Sequence, residues 1–335
     1  MSDTAPATST PATLTLGKAI NAGLRAAMES DPKVLVMGED VGKLGGVFRI
    51  TDGLQKDFGE DRVIDTPLAE SAIIGTAVGL ALRGYRPVCE IQFDGFVFPA
   101  YDQIVTQVAK MHYRSGGRLR VPIVIRIPYG GGIGAVEHHS ESPEAYFSHT
   151  PGLKVVSCSN PADAYWMIQQ AVVLDDPVVF FEPKRRYWDK AEVDQAGSPD
   201  LPLEAARVAR AGADVTVVAY GPMVKTCLEA AAAAAEEGRS LEVVDLRSLS
   251  PLDLPTLYES VRRTGRCVVV HEAPQSLGLG SEVAARVTEE CFYSLEAPVL
   301  RVTGFDTPYP PSRGEEEYLP DLDRVLDGVD RVLAY

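Results

Sequence analysis

Two apolar runs constrain the fold more than any other feature of this chain. Ile123-Val124-Ile125 and Val178-Val179-Phe180-Phe181 do not alternate in polarity. Such strands are buried on both faces, as in a parallel sheet covered by helices. Shorter strand patterns lie at 34–37, 62–65, 88–91 and 155–157, and the two runs give strands at 123–127 and 178–181. Helical patterns fall between them, at 15–29, 69–82, 98–110 and 162–174. Strands alternating with helices predict an α/β domain over residues 14–188.

The pattern then stops and restarts. Residues 189–203 are polar, with Gly197, Pro199 and Pro202, and read as a linker. The basic run before it, Lys184-Arg185-Arg186-Tyr187-Trp188, reads as a solvated turn. Strands at 216–219, 242–245, 267–271 and 299–302 and helices at 224–237, 254–264 and 281–290 form a second, smaller α/β domain over 204–335. A chain of 335 residues with 45% apolar content has room for two such cores.

Residues 1–13 are rich in Thr, Ala and Pro, have no Lys or Arg, and are expected to be a disordered tail on a cytoplasmic protein. The net charge of −15 argues against a nucleic-acid footprint. No apolar run is long enough to span a membrane. The five cysteines are widely spaced, show no Cys-x-x-Cys, and read as buried free thiols.

The chemistry centres on Asp65-Thr66-Pro67-Leu68-Ala69-Glu70-Ser71. Thr66 reads as a helix N-cap and Pro67 as the first helical residue. The helix that follows is uncharged from Ala72 to Leu82, with Gly75 and Gly79 four apart, so it is buried or lies in an interface. From the residues alone Glu70 is a first-turn acid favoured by the helix dipole. A carboxylate at an apolar helix mouth is also partly desolvated and needs a partner.

That block resembles the β subunit of the thiamine-dependent 2-oxo acid dehydrogenases, above all the branched-chain (2-oxoisovalerate) enzyme. The likeness runs from about Leu14 to the C-terminus. It includes Val36-Met37-Gly38-Glu39-Asp40-Val41, Glu90-Ile91-Gln92-Phe93, His139-Ser140-Glu141-Ser142-Pro143 and Phe180-Phe181-Glu182-Pro183-Lys184. It implies a transketolase-like fold: an N-terminal thiamine-pyrimidine-binding domain and a C-terminal transketolase-type domain. By the resemblance, Glu70 hydrogen-bonds the aminopyrimidine ring of thiamine diphosphate. Leu68 packs on the cofactor, and Gln92 and Phe96 complete the pyrimidine pocket. For Gln92 and Phe96 the residues alone say only strand-end packing. Such enzymes hold the diphosphate through Mg2+ on a Gly-Asp-Gly segment with a later Asn. This chain has no Gly-Asp-Gly and only two asparagines, Asn21 and Asn160. The resemblance therefore assigns no metal ligand here and leaves the Mg2+ ligands to an α subunit, in an α2β2 heterotetramer.

Gly130-x-Gly132-x-x-Ala135 follows a strand and imitates a dinucleotide fingerprint. We reject that reading, because Pro128 is expected to end the strand early and Glu137-His138-His139 stands where a helix should begin. A metal site on the two histidines is also set aside, since neighbours in extended chain point to opposite sides. The resemblance places His139 beside the reactive cofactor carbon, assisting acyl transfer to a lipoyl group. In His271-Glu272-Ala273-Pro274…Gly278-Leu279-Gly280-Ser281, Ser281 reads as a helix N-cap.

The function expected is oxidative decarboxylation of a small 2-oxo acid, of branched-chain type, with acyl transfer to a lipoyl acyltransferase core. Within the family, Ser142-Pro143-Glu144-Ala145-Tyr146 and the 184–188 run resemble the branched-chain members more than the pyruvate ones. A pyruvate or acetoin dehydrogenase β subunit is the alternative enzyme, and a non-catalytic assembly subunit the alternative class. The acids from Glu315 to Asp330 read either as a solvated surface or as a docking patch for a basic domain of the core.

Overall fold

In the computed structural model, residues 11–335 are described. Among the described residues, fourteen strands run in chain order. They are β1 (Ala12–Thr15), β2 (Val34–Gly38), β3 (Val63–Asp65), β4 (Arg86–Glu90), β5 (Val124–Tyr129), β6 (Lys154–Ser157) and β7 (Val178–Pro183). Then come β8 (Lys190–Val193), β9 (Arg207–Arg210), β10 (Val215–Ala219), β11 (Leu241–Asp245), β12 (Ser248–Ser250), β13 (Cys267–Pro274) and β14 (Leu300–Gly304).

The first sheet has seven strands in the order β12-β6-β7-β5-β4-β2-β3, all parallel except β12. Every residue of β5 and β7 is buried, as their unbroken apolar runs demand. The second sheet, β14-β13-β10-β11-β9, is parallel except for β9. Helices Leu16–Ser30 and Pro161–Val173 pack on one face of the first sheet. One apolar cluster is continuous across both domains, from Ile73 and Ile125 through Tyr129 and Tyr220 to Val269 and Val283. All five cysteines are buried and unpaired.

Several local expectations are corrected. Of the expected tail, residues 1–10 lie outside the described residues. Ala12 and Thr13 instead belong to β1, which pairs antiparallel with β8 inside the expected linker. Extended Thr-rich chain can close a ladder whose other half is 175 or more residues away, which local polarity does not register. β12 likewise crosses from the second domain to the edge of the first sheet.

β5 runs through Pro128, which pairs with Glu182. The last β4 pair is Glu90 with Arg126, so the proline lies where that neighbour has ended and its missing N–H costs no ladder bond there. The expected helix at 98–110 is a 3-10 stretch (Asp94–Ala100) containing Pro99, then a π-helical stretch (Gln103–Val108). Ser281 is not a cap: the helix Leu279–Cys291 begins after Gly278, which has no side chain to cap with. A Cβ on Gly280 would stand 2.6 Å from the buried His271 ring, so these glycines let the helix end approach that ring.

Candidate active site

The first sheet dictates where a site can form. From β2 the chain moves outward to β3 and then returns to the other side of β2 as β4. In open α/β sheets the crevice at such a reversal, beyond the carboxyl ends of the strands, is where ligands bind. β2 ends into Glu39 and Asp40, and β4 ends into Ile91 and Gln92. Glu70 opens the helix Glu70–Leu82 after β3.

Glu70 and Glu39 are both buried there. Burial raises the Glu39 pKa above the usual carboxylate value, and the charges of Glu70 and Asp40 push it further. Glu39 Oε1 is buried without a hydrogen-bond partner among the described residues. Gln92 donates its amide to the Glu39 carbonyl (3.4 Å) and to Asp40 Oδ2 (3.3 Å). Leu68 stands at the mouth of the crevice, 80% exposed.

The expected cap is wrong in register. The helix starts at Glu70 after Ala69, with no side-chain cap, rather than at Pro67. Thr66 N–H instead donates to the Gly38 carbonyl at 2.9 Å, tying the 66–69 segment to the end of β2. That keeps Leu68 out of the helix and free to face the crevice. Gly75 and Gly79 are exposed, and a Cβ on either would meet nothing within 4 Å in this chain.

His139 lies in the loop after β5. Its ring stacks on Phe93 at 4.0 Å and meets Phe96 edge-on at 5.0 Å. Its Nδ1 lies 2.8 Å from the His138 carbonyl oxygen, which only accepts, so Nδ1 carries the hydrogen and Nε2 holds the free lone pair. Burial lowers the His139 pKa below the usual imidazole value. His138 is exposed. Residues Glu137–His139 form a 3-10 turn, not extended chain, and bring the two rings to 4.3 Å. Among the described residues no three His, Cys, Asp or Glu side chains group as a metal site.

The structure thus brings Glu70 and Gln92 together through Glu39, and Phe96 and His139 together through Phe93. Glu39 and Phe93 stand within the Val36–Val41 and Glu90–Phe93 motifs, which give neither a role. The signal for Glu39 was its place one residue past a fully buried strand.

The larger miss is the basic run. Lys184 is fully buried, and Arg185 and Arg186 are mostly so. Lys184 Nζ donates to Asp94 and to the His139 carbonyl, and Asp94 also accepts from Glu141 N–H at 3.0 Å. Arg186 donates to the Pro222 carbonyl at 2.7 Å. Three successive cations read as solvated because no local pattern reveals carboxylates and carbonyls 30 or more residues away.

Residues 12–189 match the family described as transketolase, pyrimidine binding domain, and residues 204–325 the transketolase C-terminal domain. The chain is 64% identical over 322 residues to the pyruvate dehydrogenase E1 component subunit beta of Leifsonia xyli, covering 96% of this chain and 95% of that one. It is 58% identical to the 3-methyl-2-oxobutanoate dehydrogenase subunit beta of Mycobacterium tuberculosis, covering 96% and 92%. It is 46% identical to the 2-oxoisovalerate dehydrogenase subunit beta of Pseudomonas aeruginosa, covering 97% and 96%. Among solved structures, a split-gene transketolase described as an inactive β4 tetramer superposes with a TM-score of 0.78 at 26% identity, covering 96% of this chain and 98% of that one. With a buried glutamate pair at the switch point of a pyrimidine-binding domain, and these relatives along nearly its whole length, the chain belongs to the transketolase-like β subunits of the 2-oxo acid dehydrogenases.

Proposed function

We propose that this chain is the β half of a branched-chain 2-oxo acid dehydrogenase, holding the pyrimidine end of thiamine diphosphate and active only with an α subunit, in an α2β2 heterotetramer. The observation that carries this reading is the Glu70–Glu39 pair at the β2/β4 crevice. Its buried Glu39 Oε1 lacks a partner among the described residues, and its mouth is lined by an exposed Leu68. Those groups fit an aminopyrimidine: an acid for the ring nitrogen, an apolar side chain for the ring face, and Gln92 and Phe96 at the far wall. Bound there, thiamine diphosphate supplies the nucleophilic carbon that takes up and decarboxylates a 2-oxo acid.

The chain's own residues do the rest. Glu70 presents its carboxyl group to the ring nitrogen as a hydrogen-bond partner, and Glu39, its pKa raised by burial and by the Glu70 charge, lies beside it. His139, neutral near pH 7 and oriented by Phe93, presents Nε2 to move a proton during transfer of the acyl group to a lipoyl group of the acyltransferase core. The residues do not fit Mg2+. Asn160 caps the helix Pro161–Val173 and Asn21 donates to the Ile50 and Asp52 carbonyls, so both asparagines already serve the fold. The Mg2+ and diphosphate ligands come from the α subunit. The inactivity of the split-gene transketolase β4 tetramer supports the need for a partner. The cytoplasmic location expected from the sequence goes with this reading.

Two tests follow. The isolated chain is expected to show no tight thiamine diphosphate and Mg2+ binding by calorimetry, whereas the chain coexpressed with its α subunit binds both. Tight binding by the isolated chain would sink the proposal. The assembled enzyme is expected to turn over 2-oxoisovalerate faster than pyruvate. A reversed ratio would favour the second reading, pyruvate, which the 64% identical relative supports.

His139→Ala is expected to impair lipoyl acylation by about 10²-fold, the usual worth of a positioned proton-transfer group. Decarboxylation read with an artificial electron acceptor should suffer much less. Wild-type rates in both assays would leave His139 a loop histidine without a catalytic role.

A further inference from the structure

The glycine loop that carries His139 is gripped by the second domain. Gly130, Gly132 and Gly134 have φ values of +82°, +87° and +71°. These left-handed turns aim successive N–H groups the same way and make a nest for an anion. The anion is part of the chain. Gly132 and Gly134 N–H donate to the two carboxylate oxygens of Glu315 at 2.7 and 2.9 Å. Gly131 N–H donates to Glu272 Oε2 at 3.0 Å.

Both acids are buried and backed by other groups. Tyr309 donates its hydroxyl to Glu315 Oε1 at 2.7 Å. Arg185 lies 2.7 Å from Glu272 Oε1, an ion contact without the alignment of a hydrogen bond. A Cβ on Gly131 would stand 1.9 Å from Tyr309 Oη, so the fit leaves no room for a side chain. The glycine motif that imitates a phosphate loop is therefore filled by a carboxylate about 180 residues further on.

The loop's other end is held by the first domain. Gly130 N–H donates to the Glu141 carbonyl at 2.9 Å, closing the loop's base. Lys184 holds the His139 carbonyl. His139 thus sits between two anchors, one from each domain. Removing the Glu315 anchor frees the glycines, which have no side chains to repack, and the movement reaches His139 five residues beyond Gly134.

We propose that Glu315, with Tyr309, is a positioning residue for His139, so that the second domain sets the geometry of acyl transfer. This rests on the reading of His139 given above. Of the acids from Glu315 to Asp330, Glu315 faces inward and is committed to the loop, whereas Glu316 and Glu317 are exposed.

The test compares Glu315→Ala, Glu315→Gln and the exposed control Glu316→Gln, each as the full chain assembled with its α subunit. Glu315→Ala is expected to lose lipoyl acylation by about tenfold more than it loses artificial-acceptor decarboxylation, the scale of one lost charged hydrogen bond. Combined with His139→Ala it should add little, because both changes act on one proton transfer. Hydrogen exchange should quicken by about tenfold at the Gly132 and Gly134 amides and not across the sheets. Glu315→Gln, whose amide NH2 faces one of the two donors, should fall between. Glu316→Gln should match wild type.

Equal loss of both half-reactions, exchange accelerated throughout both domains, or no change in Glu315→Ala would each overturn the proposal. A wild-type complex with no 2-oxo acid turnover would instead overturn the reading of His139. In that case exchange at Gly132 and Gly134 would still show whether Glu315 holds the loop.

Discussion

Glu70→Gln is expected to abolish most turnover of the assembled enzyme while leaving the chain folded. The residue opens the helix Glu70–Leu82 at the β2/β4 crevice and is buried beside Glu39. An amide can still hydrogen-bond a ring nitrogen, but it has no acidic proton to share. The loss should therefore exceed the about 1.5–3 kcal/mol that a charged hydrogen bond contributes to binding. A fall of about 10²-fold or more at saturating thiamine diphosphate is the expected scale for removing a positioned acid. Stability should not fall with it. The substitution removes one of two facing carboxylates, so Glu39 loses a neighbour that raises its pKa. The melting temperature is expected to hold or rise, as when a site strained for function is relaxed. Near-normal turnover would refute the assignment and bring back the assembly-subunit alternative.

The largest stability effect is expected at Arg126, the fully buried cation at the centre of the first sheet. Its Nε donates to Glu182 Oε1 at 2.6 Å and its Nη2 to Glu182 Oε2 at 3.0 Å. Its Nη1 donates to Glu90 Oε2 at 2.6 Å, and Tyr187 adds a hydroxyl to Glu182 at 2.6 Å. One guanidinium thus ties β4, β5 and β7 together beneath the site. Arg126→Met leaves two carboxylates buried without a cation, a change that costs about 3–5 kcal/mol. Denaturant unfolding of the purified chain would measure it. Changing Glu90 and Glu182 to Gln in the same chain should recover much of the loss, because the penalty lies in the unpaired charges. A loss under about 1 kcal/mol would mean that water or protonation relieves those acids, against the burial seen here.

Much of the fold could be read from local pattern. The apolar runs of β5 and β7 and the strands of the second domain declare their burial residue by residue, since sheet position and hydrophobicity are coupled along a few neighbours. Glu70, Gln92, Phe96 and His139 were singled out through resemblance; the structure joins Glu70 and Gln92 through Glu39, and Phe96 and His139 through Phe93. What could not be read was any feature made by distant partners. β1 with β8 and β12 with β6 are ladders between segments far apart in the chain. Lys184 is buried by Asp94, a residue 90 positions away.

The sequence by itself determined the parallel sheets, most of their strands and the acid at the helix mouth, because those follow from periodicity, apolar runs and residue chemistry within short windows. Only the tertiary structure decided which charges are buried, what fills the glycine nest and that Glu39 faces Glu70. Burial of a charge is set by its partners. A carboxylate such as Glu315 becomes the anion of a loop 180 residues earlier only once the two domains pack together.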